Sequence, residues 1–299
     1  MRPWGRRAAV AALAAGTALV AASCGSPGTA APAGPGSGDE GPGARLTYVM
    51  TDHAFSGPDH VEAGPVRLTA VNEGRTYHQL TVARVDDGAT VDEVTAAAAE
   101  GDTTAVEEMT TAHGGVNLLD PGGSGTAELS LDEPGRYVLL CFMVEPDGHS
   151  HLMAGMTAPL TVTATTATHA EPPPADAHIS MRDFAYDVDT TSLQGARRVS
   201  FDNDGTVDHE AIVVRLRPGR TNADLLTYLG ARQAGQDLPL SEAPGEAIGG
   251  PGATGPGRST VVDLDLTPGD YAIFCAIPDP EHDGMPHLAE GMSTTFTIR

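Results

Sequence analysis

The chain has 299 residues, with 40 acidic against 17 basic side chains and a formal charge of −23. None of the basic residues is lysine. A surface of this sign repels phosphate backbones and anionic headgroups, which excludes nucleic acid as a partner. It allows a cationic partner, and serves equally as a solvated, aggregation-resistant surface.

Arg2, Arg6 and Arg7 precede a short apolar run, Ala8 to Val20, and Val20-Ala-Ala-Ser-Cys24 places small residues before a cysteine. Residues 1–23 read as a bacterial lipoprotein signal peptide, with Cys24 as the lipidated residue and an extracytoplasmic location on the cell membrane. Ala21 stands where an aliphatic residue is usual, so an ordinary secretory signal cleaved nearby is the alternative. Removing residues 1–23 takes away three arginines and no acid, leaving a formal charge of −26. No later segment is apolar for long enough to span a membrane.

Residues 24–43 are rich in Gly, Pro and Ala and read as a flexible tether. Residues 165–176, with Glu171-Pro-Pro-Pro-Ala-Asp176, read as a stiffer linker. They separate two units of similar length, 44–164 and 177–299, which share one plan. Arg45–Met50 and His178–Arg182 are expected as opening strands, each followed by Asp-x-Ala-aromatic (Asp52 to Phe55, Asp183 to Tyr186). Second strands, Val66–Val71 and Arg197–Phe201, run into Asn-x-Gly turns at Asn72 and Asn203. Third strands are expected to open at His78 and His209. Polar, Ala-rich stretches at about 90–112 and 221–233 have helical character. Strands Arg136–Cys141 and Asp270–Cys275 follow tight turns, and Ala158–Thr163 and Thr294–Ile298 close the units. Many short strands with punctuating turns predict an all-β fold, a sandwich in two copies, each with a helical insertion.

The most specific feature is a repeat within the repeat. His151-Leu-Met-Ala-Gly-Met156 recurs as His287-Leu-Ala-Glu-Gly-Met292, each preceded by a lone cysteine and, further back, by the histidine after the Asn-x-Gly turn. Two His, one Cys and one Met make the donor set of a blue-copper centre. The other reading of Cys141 and Cys275 is a single disulfide, which would require the two repeats to face each other there. A single buried Cys or Met at a strand end is usually packing.

With these residues in place, each unit resembles the cupredoxins, the plastocyanin and azurin family of Greek-key β-sandwiches. The resemblance implies two tandem cupredoxin-like domains. It implies copper, up to two ions, with His78, Cys141, His151 and Met156 holding one and His209, Cys275, His287 and Met292 the other. The glycines before the methionines, Gly155 and Gly291, would permit the tight turn that brings each sulfur to an axial position. One departure concerns the loop between Cys and His, usually a few residues long: nine residues lie between Cys141 and His151 and eleven between Cys275 and His287. Copper nitrite reductases resemble the chain in having a long gap there. The longer loops bring spare donors, His149, Met153, His282 and Met285. The remaining histidines (His53, His60, His113, His169, His178) are expected to be solvated.

The leading expectation is electron transfer from a membrane-tethered protein to an unidentified redox partner. Copper buffering without redox and a metal-free scaffold or adhesion lipoprotein are the alternatives. No enzyme is expected. Oxidases and nitrite reductases wire the blue site to a second copper through a histidine beside the cysteine, whereas the neighbours here are Leu140 and Phe142, and Phe274 and Ala276.

Overall fold

The computed structural model describes residues 43–145, 147–167, 174–236, 238, 242–282 and 284–299. The expected signal peptide, Cys24, all but the last residue of the tether, the centre of the linker and His169 lie outside them.

The first repeat comprises β1 (Ala44–Thr51), β2 (Ala54–Ser56), β3 (His60–Glu62), β4 (Gly64–Asn72) and β5 (His78–Val85), then α1 (Val91–Glu100) and α2 (Thr103–Glu108). It continues with β6 (Thr110–Leu119), β7 (Ser124–Leu131), β8 (Gly135–Leu140) and β9 (Thr157–Thr163). The second repeat comprises β10 (Ala177–Arg182), β11 (Ala185–Val188), β12 (Arg198–Asn203), β13 (Ile212–Leu216) and α3 (Asn222–Gln233). After these come β14 (Gly245–Gly249), β15 (Ser259–Asp263), β16 (Gly269–Phe274), the short β17 (Pro278–Asp279) and β18 (Met285–Pro286), and β19 (Ser293–Ile298).

Each repeat is a β-sandwich. In the first, β3-β9-β8-β5-β6 form one sheet, and in the second β14-β13-β16-β19 do. The opposing sheets are joined into one of eight strands, β11-β10-β12-β15-β7-β4-β1-β2, which runs through both repeats. The opening strands pair in parallel with the second strands in each copy, β1 with β4 and β10 with β12.

The strands that lead to the cysteines are apolar on both faces for a physical reason. Alternation sends Tyr137, Leu139 and Cys141 into the space between the sheets, while Val138 and Leu140 face outward beneath the helices with Val94, Ala98 and Val106. In β16, Tyr271, Ile273 and Cys275 point inward, and Ala272 and Phe274 lie outward with Leu225 of α3. The helical insertions are thus covers for a second apolar face. Both start at capping boxes, Thr90 with Glu93 and Thr221 with Asp224, which satisfy the first free N–H groups.

The expected helix and strand bounds are corrected at residues 90–112 and at His209. The helical stretch at 90–112 is two helices broken by Gly101, whose φ is +77°, and residues 110–112 already belong to β6. His209 does not open a strand as His78 does. It exchanges backbone hydrogen bonds with Thr254, and Ala211 N donates to Pro251 O, so β13 begins only at Ile212.

The repeats meet where β7 pairs antiparallel with β15, Val261 opposite Glu128 and Val262 opposite Ala127. Glu128 accepts from Arg67 at 2.6 Å and from both Nη atoms of Arg198 at 2.7 and 2.8 Å, tying the two copies together. Residues from both repeats belong to one compact unit. The hydrogen bonds from Arg198 and Arg67 hold the Glu128 carboxyl below its ordinary range. Its contribution is therefore fully present above the unfolded value of about 4.5 and lost as pH falls through the lowered value. Glu128→Ala is expected to lower the unfolding free energy by about 1–3 kcal/mol at pH 7 in urea denaturation, with the deficit shrinking once the wild-type carboxyl is protonated.

Candidate metal centres

Two trios of buried side chains form at one end of the sandwiches. In the first repeat, Cys141 Sγ lies 3.4 Å from His151 Nδ1 and 3.9 Å from His78 Nδ1, and the two Nδ1 atoms are 3.1 Å apart. In the second, Cys275 Sγ lies 3.4 Å from His287 Nδ1, and the His209 and His287 ring centroids are 5.1 Å apart. In each trio one ligand atom per residue falls within 4.8 Å of the others. All six side chains are buried. Both cysteines are free, and each is committed to its own trio, so the disulfide alternative does not hold.

Local sequence explains the placement. Asn72 donates to Thr76 O and Leu119 O while its Oδ1 accepts from Gly74 N, and Asn203 repeats this with Val207 O, Thr254 O and Gly205 N. Each Asn thus clamps the turn that delivers the first histidine. The ligand loop closes on itself. His151 N donates to Met143 O and Met156 N to His151 O, and His287 N and Met292 N do the same with Ile277 O and His287 O. Gly155 (φ +87°) and Gly291 (φ +110°) make the turn before each methionine in the left-handed region that glycine adopts without strain. Met156 and Met292 are buried in the cluster that holds the cysteines.

Burial sets the charge of the trios. It pushes the Cys141 thiol up to about 11, against hydrogen bonds from the backbone of Gln79 and Met143. Burial raises Cys275 further, and the nearby Glu210 carboxylate adds to it. Burial and the neighbouring His151 lower His78 to about 4. Burial likewise lowers His151, His209 and His287. Each centre is therefore two neutral imidazoles and a desolvated thiol. Displacing the thiol proton and neutralising the resulting thiolate needs a cation. His209 Nδ1, buried and without a hydrogen-bond partner among the described residues, is a donor atom held for one. The set of two imidazoles, one thiol and a buried thioether fits a soft or borderline ion.

Several contributing residues carry no signal in the ligand repeat itself. Asp183 accepts from Thr206 N and Oγ1 and meets His209 Nε2 at 3.1 Å, which leaves Nδ1 for the centre. Asp52, its counterpart, accepts from Arg75 N and Nε instead. The repeated Asp-x-Ala-aromatic motif is the sequence trace of both. Glu210 is fully buried at the junction of the repeats, accepting from Ala276 N, beside Cys275, and from Asn117 of the first repeat. Burial raises it to about 7.

None of the spare loop donors joins a trio. His149 is exposed with its ring 5.0 Å from that of His53, Met153 and Met285 are exposed, and His282 pairs with Asp279 and Glu290. His113 departs from the expectation of solvation: it is buried, Nδ1 faces Ser130 O at 3.3 Å, and its ring packs on Tyr137. Strand β6 is covered by the 250–255 loop of the other repeat, which pairs with it through Gly114, Asn117 and Ala112.

No family model matches the chain, and no curated protein matches it. Among solved structures it is similar to auracyanin B, at 22% identity over 42% of this chain and 92% of that one, with a TM-score of 0.29. It is also similar to a copper-containing nitrite reductase from Thermus scotoductus SA-01, at 15% identity over 85% of this chain and 61% of that one, TM-score 0.23. A multicopper oxidase matches at 14% identity over 85% and 88%, TM-score 0.25. Likeness at this level concerns fold alone, and each repeat is by its own strand topology a β-sandwich. The expectation that the chain is no enzyme is corrected here. Its matches include a copper-containing nitrite reductase and a multicopper oxidase.

The lowered imidazoles give a prediction of definite sign. Unfolded histidines bind protons below about 6.5, which the buried ones refuse until a lower pH, so the unfolded state gains as acid is added. The metal-free protein is expected to lose stability as pH falls from about 6.5 towards 4. His78→Gln should make the urea midpoint less steep in pH across this window than wild type.

Proposed function

We propose that the chain is a lipid-anchored, extracytoplasmic copper protein that carries single electrons. Residues 44–164 and 177–299 are its two domains, Cys24 its anchored residue, and each domain holds one mononuclear type 1-like copper. His78, Cys141, His151 and Met156 are the ligands of one ion, and His209, Cys275, His287 and Met292 of the other. The observation that carries this reading is the recurrence of a buried His-Cys-His trio at corresponding places in both repeats.

Copper supplies a one-electron couple, with thiolate and thioether favouring Cu(I) and imidazole suiting both states. The protein's own residues do the rest. The Asn72 and Asn203 clamps and the closed ligand loops fix the donors before any ion arrives, so little rearrangement accompanies a change of charge. Backbone N–H groups of Gln79 and Met143, and of Glu210 and Ile277, point at the sulfurs and favour the thiolate. The sandwich excludes water from the trios. The acidic surface suits a cationic redox partner. A buffering role is served less well, because fully buried donors exchange an ion slowly.

Copper titration followed by visible absorption tests the reading. An intense thiolate-to-copper band saturating near two equivalents is expected, and Cys141→Ser should remove half of it. Reversible oxidation and reduction of that band separates electron transfer from buffering. No band with both thiols free overturns the proposal.

A further inference from the structure

Outside the two trios, one more convergence of metal-donor side chains exists among the described residues, and nothing in the copper reading uses it. Asp279 Oδ2 lies 2.7 Å and Glu290 Oε1 3.0 Å from the same atom, His282 Nδ1. The side chains of Asp279 and Glu290 are only 10% and 13% exposed, whereas His282 is 52% exposed. The loop between Cys275 and His287 builds the cluster. Strands β17 and β18 form a two-residue ladder, a 3-10 turn (Pro280–His282) brings His282 back towards Asp279, and a second (His287–Glu290) supplies Glu290.

We propose that Asp279, His282 and Glu290 form a third metal site, open to solvent, that takes a divalent first-row cation such as Zn(II) or Cu(II). Three observations carry the assignment. An imidazole has one hydrogen at Nδ1 and can donate it fully to only one of the two carboxylates that face it. Among the described residues Glu290 Oε2 has no hydrogen-bond partner and is buried, a desolvated acceptor that an ion pair with His282 leaves unsatisfied. Two nearly buried carboxylates and one imidazole carry a net charge of −1 or −2, which a divalent ion offsets and a proton on His282 offsets only in part. One nitrogen and two oxygens are donors for Zn(II) or Cu(II) and poor ones for Cu(I), and the exposed side of His282 leaves room for water ligands.

Among the described residues the first repeat has no counterpart. Its loop is two residues shorter, Glu145 faces His151 Nε2 at 3.5 Å, and Asp147 is taken up by His149 N. The third site borders the second trio. The Phe184 ring packs edge-on against both His282 (6.2 Å) and His287 (5.1 Å), and Glu290 shares a turn with His287. A cation there would brace the ligand loop.

The site stands apart from the copper reading, and the test keeps them apart. Purified full-length protein is dialysed against micromolar Zn(II), and bound metal is counted in wild type, His282→Gln, Glu290→Gln and the Cys141→Ser/Cys275→Ser double variant. His282→Gln should bind one equivalent fewer than wild type, and Glu290→Gln should bind that equivalent at least tenfold more weakly. The double variant should keep the equivalent, whatever the trios take up. Measured against its own metal-free Tm, His282→Gln should lose the rise in Tm that zinc gives wild type. Equal zinc in wild type and His282→Gln, with no difference in that rise, would overturn the proposal and leave an ion-paired triad.

Discussion

The structure depends on keeping a thiol dry. Cys141 and Cys275 follow strands whose alternation leaves no solvent face, so each sulfur reaches the space between two sheets shut off from solvent. A desolvated thiol is a poor acid, and two flanking imidazoles held neutral by the same burial do not help it ionise. Everything around each trio either maintains that dryness or supplies donors to the sulfur. The helices seal the outer face of the cysteine strand, the Asn turns lock the remote histidine, and the ligand loop folds over the end.

The two copies do not treat this constraint alike. The first sets Glu145 3.5 Å from His151 Nε2 and leaves Asp52 engaged with Arg75, whereas the second sets Asp183 on His209 and the buried Glu210 beside the backbone of Cys275. Negative charge near a thiolate favours the more positive state of whatever it binds. The pair of centres therefore forms two different electrostatic environments from one plan.

Much of this was legible in the sequence, because its informative parts are local and repeated. His-x4-Met, the upstream cysteine and the Asn-x-Gly turn each leave a short-range trace, and recurrence distinguishes them from packing residues. Strand β16 was expected as a strand, but what covers its outer face was not visible. The delayed start of β13 was hidden because Thr254, far along the chain, takes the place of a neighbouring strand at His209. Glu210, Asn117 and the burial of His113 depend on contacts between repeats, which periodicity within one repeat cannot encode. The Asp279–His282–Glu290 cluster was half visible: His282 stood out as a spare donor, but the turn that brings Glu290 to it is tertiary.

The seam between β7 and β15 has a consequence for how such a chain came to be tandem. A lone sandwich of either kind would leave β7 or β15 as an open edge strand, with a row of unpaired N–H and C=O groups ready to recruit any passing strand. Each copy instead spends its edge on the other, and Glu128 with its two arginines fixes which partner is accepted. Duplication thereby removes an aggregation hazard that a single copy would have to blunt by other means, and it makes each repeat the chaperone of its twin's edge.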